Sequence, residues 1–66
     1  MRIIYDRLYK LMQDHGITTR QLAFIAGTST IAVWFKLRGF LKWQLHEALR
    51  ICVFFRVPDA EDLFSN

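Results

Sequence analysis

The chain has 66 residues, 53% of them apolar, and a net charge of +3. That length admits one domain, and a single cysteine, Cys52, excludes an internal disulfide. His15, His46 and Cys52 fall short of the four closely spaced ligands of a structural zinc site, so neither metal nor cofactor is expected.

The first element is a helix over residues 2–14. Ile4, Leu8, Leu11 and Met12 recur at helical spacing and form one apolar stripe. Gly16 follows as a terminator. Next comes "GITTRQL", which carries a helix start. The Thr18 side chain can accept from the backbone three residues on, and Gln21 can reach back to it. Ile17 and Leu22 stand where a hydrophobic staple would close. The predicted helix runs 19–26 and stops at Gly27, where a sharp reversal needs positive φ.

Ser29 is a good N-cap for a third helix over 30–37, ended by Arg38-Gly39. The apolar connector "FLKW" is expected to pack down. A fourth helix is predicted over 44–55, with Leu45, Ala48, Leu49, Cys52 and Phe55 on its buried stripe. Pro58 breaks it, and Asp59 caps a short last helix whose acids suit the helix dipole. No apolar/polar alternation between turns predicts a strand. The fold expected is all-α, a single domain of five short helices.

Charge is unevenly placed. Between His15 and Glu47 there is no acid, only Arg20, Lys36, Arg38 and Lys42, while Asp59, Glu61 and Asp62 sit near the end. A basic middle suits a polyanion, or serves as a solvated face. The opening "MRIIYDRLYK" is too charged for a signal peptide. No run approaches the ~20 apolar residues of a membrane span. The expectation is a cytoplasmic protein with Cys52 reduced and no membrane partner. Isolated glycines and a mismatched Cys52/His46 spacing offer no catalytic pattern, so the chain is not expected to be an enzyme.

Two short helices meeting at a glycine form a helix-turn-helix pattern. The stretch "ITTRQLAFIAGTSTIAV" resembles the phage Cro/CI repressor group, the Xre family. "RLYKLMQDHGIT" looks like that family's first helix, and "LHEALRICVFFRVPDAEDLF" like its closing two. The resemblance covers nearly the whole chain. It implies a five-helix bundle in which Leu22, small Ala23 and Val33 pack the motif and Gly27 makes the turn. Three positions depart from the pattern. Lys36 stands where the family has a large apolar residue, Arg56 where it often has a glycine, and Trp43 where a proline is common.

The resemblance further implies an operator-binding regulator acting as a homodimer on double-stranded DNA. Base-facing positions would be Ser29, Thr30, Ile31, Trp34 and Phe35, and phosphate contacts Thr19, Arg20, Lys36, Arg38 and Lys42. None of the first set is the Arg, Asn or Gln that reads bases bidentately. Trp34 and Phe35 point about 100° apart on a helix, so both cannot face the core with Val33. An exposed aromatic marks a partner surface. The alternative is therefore an antirepressor of the same fold, which binds a partner repressor protein through this aromatic face. Protein-interface candidates are Trp34, Phe35, Phe40, Trp43, Phe54, Val57 and Phe64.

Overall fold

The computed structural model describes residues 3–64. Five helices follow in order: α1 (Asp6–Asp14), α2 (Thr19–Ala26), α3 (Thr30–Leu37), α4 (Leu45–Phe55) and α5 (Glu61–Phe64). The described residues contain no strand, so the fold is all-α as expected.

Helix starts follow the local chemistry. The Thr18 hydroxyl accepts from the Gln21 backbone N–H at 3.1 Å, and the Gln21 side-chain Oε1 accepts from the Thr18 N–H at 2.8 Å. Ser29 Oγ accepts from the Ala32 N–H at 3.1 Å. Each bond satisfies a donor that a helix start leaves open.

Helix ends share one device. After α1 to α4, an N–H two or three residues past the helix donates back five positions: Ile17 to the Met12 carbonyl at 2.7 Å, Thr28 to Ala23 at 3.0 Å, Phe40 to Phe35 at 2.9 Å, and Val57 to Cys52 at 2.9 Å. This closure needs a left-handed residue just before the donor. Gly16, Gly27 and Gly39 fill three of those places, and Arg56 fills the fourth with φ 58° and ψ 41°. A side chain in that region costs about 1–2 kcal/mol that glycine does not incur.

The core gathers Leu8 and Met12 of α1, Leu22, Ala23 and Ala26 of α2, Val33 and Leu37 of α3, Ile51, Cys52 and Phe55 of α4, and Leu63 of α5. α2 lies between α3 and α4 and contacts both, and α1 packs on α5.

Three expectations need correction. α1 starts at Asp6 rather than residue 2, because the Ile4 N–H donates to the Leu37 carbonyl at 3.0 Å and so belongs to a strap across the end of α3. Of the connector, Phe40 and Leu41 are exposed and only Trp43 turns inward. On α4 the buried stripe is Ala48, Ile51, Cys52 and Phe55, while Leu45 and Leu49 face solvent. α4 is apolar on several sides, and its periodicity fits two registers equally well. In the observed register Ile51 is fully buried.

Candidate nucleic-acid interface

The site is built on α2, the Gly27 turn and α3. Gly27 adopts φ 79°, and a Cβ there would also run into the Arg50 guanidinium from α4. The turn therefore sets α3 across α2 with Val33 and Leu37 buried beneath it. Of the other α3 residues only Lys36 is buried. Ser29 is exposed with its oxygen engaged as the cap, Thr30 is half-buried, and Ile31 is 69% exposed. Phe35 is exposed and Trp34 half-buried, so neither aromatic joins the core.

Both aromatics have neighbours. The Arg38 guanidinium lies 5.2 Å from the Trp34 ring centroid, a cation–π arrangement. Phe35 and Phe40 sit 6.2 Å apart, centroid to centroid. The outward face of α3 is therefore apolar at Ile31, Phe35 and Phe40, and basic at the Trp34–Arg38 stack.

Lys36 departs from its expected role. It is only 6% exposed, and its ammonium lies 2.5 Å from both carboxylate oxygens of Glu47, itself 3% exposed. Glu47 also accepts from the Gln44 N–H at 2.8 Å, at the start of α4. Burial pushes the Glu47 pKa up, but the Lys36 ammonium and the Gln44 N–H outweigh it and hold the carboxyl below its ordinary value. The ammonium also lies 5.6 Å from the Trp43 ring centroid. Lys36 thus fills the interior place where a large apolar residue would sit, and Trp43 covers it. Facing inward, it cannot meet a phosphate.

The remaining candidates fall into two groups. Arg20 and Lys42 are exposed, and Thr19 and Arg38 half-buried. Thr19 and Arg20 open α2, and Arg38 and Lys42 follow α3. Arg50, absent from the expected set, also projects toward the Gly27 turn. Nothing local in the sequence signals this. Among the proposed interface residues, Trp43 and Phe64 are already engaged within the chain. Their rings pack at 5.3 Å with an interplanar angle of 69°, and Tyr5 joins both at 6.3 Å. Val57 packs against the core. Phe40 and Phe54 remain exposed.

Cys52 and His46 do not meet chemically. Cys52 is buried in the core, and burial, with the charges of Asp59 and Asp62, pushes its thiol pKa up. His46 is exposed. Among the described residues no helix is long and apolar enough to cross a membrane.

The fold and site together define a small helical domain carrying two capped helices about a glycine turn. The model of the BetR domain family matches residues 1–66, and the chain belongs to that family. This is a small helical domain associated with regulators of helix-turn-helix type. The match names the BetR domain rather than the Cro/CI group that the sequence resembles. No curated protein and no solved structure matches the chain.

Proposed function

We propose that this chain is a transcription regulator of the phage-repressor type, acting in the cytoplasm, which lays α3 against double-stranded DNA as a homodimer. The observation that carries this reading is the outward presentation of α3 from a capped, glycine-turned helix pair. Arg20, Arg38 and Lys42 flank that helix and can hold phosphates, with Thr19 at the N-terminus of α2. Ser29 and Thr30 retain hydroxyl donors for base edges, and Ile31 suits a thymine methyl. With no Arg, Asn or Gln in 28–35, sequence preference would come largely from DNA shape. The reading includes no catalytic step and no cofactor.

Fluorescence anisotropy with a duplex at two salt concentrations tests it. Three cations per protomer predict a slope of about −3 per protomer in log affinity against log salt. Affinity that stays constant as salt rises removes the phosphate contacts and the proposal with them.

A second reading has its own support. Lys36 is withdrawn from the surface, and Ile31, Phe35 and Phe40 make the outward face of α3 apolar. Such a face fits an antirepressor that covers a partner repressor protein. There, Trp34→Ala would abolish the protein complex while the chain keeps its helicity. Loss of DNA affinity with the protein complex intact would count against it.

A further inference from the structure

We infer that the α2–α4 face is a self-association surface on which a second copy of this chain docks across a two-fold axis. The face lies apart from the outward side of α3. Phe24 of α2 projects almost wholly into solvent, at 89% exposed, and Val53 of α4 is 78% exposed. Leu45, Leu49 and Val53 recur every four residues and form an unburied stripe, and Phe54 lies beside it. Between the two helices runs an open groove of about 660 Å³, lined by Phe24, Ile25, Leu49, Arg50, Val53 and Phe54.

Three features select a second copy as the occupant. The first is area. At about 150–250 Å² for an aromatic side chain and somewhat less for leucine and valine, the exposed parts of Phe24, Leu45, Leu49, Val53 and Phe54 come to roughly 600 Å². Doubled across a two-fold axis, that gives roughly 1,200 Å², the lower bound for a stable protein interface. It is also as large as the whole apolar patch of a typical monomer. The second is shape. A projecting ring beside an apolar groove is complementary to itself, as a two-fold interface requires. The third is charge. Arg50 is the one charged residue lining the groove, and its guanidinium is drawn toward Gly27. A polyanion would find little to hold there, while two copies bring no opposed row of charges together. A chain of this length also has a small core of its own, and association is one way such a chain gains stability.

The interface so placed departs from the aromatic set read from the sequence. Trp43, Phe64 and Val57 serve the interior, and of that set only Phe54 belongs to this face.

The test is the oligomeric state of the 66-residue chain without DNA, followed by sedimentation equilibrium over a dilution series. The expected mass is twice the 7.9 kDa of one chain. Phe24→Glu and Val53→Glu should weaken association at least 100-fold and give the single-chain mass at the same loading. Ile31→Glu and Phe40→Glu, on the α3 side, should leave the dimer intact. Both first substitutions point into water in the single chain, and circular dichroism checks that helicity survives. If either variant unfolds, amide NMR of the unaltered chain on dilution decides. Shifts confined to α2 and α4 support the interface, whereas shifts on α3, or none, overturn it. A single-chain mass at every loading, or dissociation by Ile31→Glu instead, also overturns it. The inference is separable from the DNA reading. A dimer without DNA affinity defeats the DNA reading alone, whereas a DNA-binding monomer defeats the interface, and with it the homodimer of the proposed function, but leaves the contact of α3 with DNA standing.

Discussion

Replacing Glu47 by alanine strands the Lys36 ammonium inside the protein. Lys36 is 6% exposed and has no other carboxylate within ion-pair distance among the described residues. Removing one member of a buried pair costs about 3–5 kcal/mol, because the remaining charge stays desolvated. Glu47 also serves the Gln44 N–H at the start of α4, and losing a cap bond adds about 1 kcal/mol. A chain of 66 residues has a total stability of roughly 3–10 kcal/mol. Glu47→Ala is therefore expected to leave the chain largely unfolded, or close to it, at 25 °C. Lys36→Met with Glu47→Leu should instead fold at least as well as the parent, because apolar replacement of a buried pair is neutral or stabilising by about 1–4 kcal/mol. Urea denaturation followed by circular dichroism measures both. The double variant should also keep its DNA affinity and salt slope, since Lys36 faces inward. A Glu47→Ala protein with unchanged stability, or a double variant that folds but has lost one phosphate's worth of salt dependence, would refute the interior placement of Lys36.

Acid should act through the same pair. The folded Glu47 pKa lies below its ordinary value, so the pair's contribution is complete above the unfolded carboxylate pKa of about 4.3 and fades as pH falls through the lower folded value. Denaturation midpoints at descending pH should drop in the parent and drop less in the Lys36→Met/Glu47→Leu protein. Arg56→Gly removes a left-handed side chain at the end of α4; set against the greater freedom of glycine when unfolded, the net gain should be about 0.5–1 kcal/mol, visible as a melting temperature higher by a few degrees. Gly27→Ala places a side chain at φ 79° beside Arg50 and should cost about 1–2 kcal/mol in denaturant titrations. Cys52 should react with a thiol reagent far more slowly than the same chain in urea, since burial both shields the sulfur and raises its pKa.

The parts of the fold legible in the sequence are those set by neighbours in the chain. Thr18 with Gln21, and Ser29 with the N–H three residues on, are contacts within one turn. The glycine ends follow from a conformation that glycine adopts freely. Arg56 takes the same conformation, and its clue was its place where the resembled family often has a glycine. Distance along the chain hid the rest. Lys36 and Glu47 are eleven residues apart, and a lysine read alone suggests surface. The clue was its position three residues after Val33, where the resembled family has a large apolar side chain. Ile4 continues the period of α1, yet its N–H is claimed by Leu37 from the other side of the fold. Exposure of the α3 face was foreseen, because Trp34 and Phe35 could not both follow Val33 inward. The apolar α2–α4 face was not, since α4 satisfies two helical registers and only packing chooses between them.

The Ile4–Leu37 bond has a mechanical consequence. The Ile4 side chain also occupies the space beside Gly39, so the leading residues clasp the exit of α3 through both backbone and side chain. Tension or steric load applied just upstream of Ile4 is transmitted directly to the helix that faces outward. A bulky fusion at that end would therefore tug on α3.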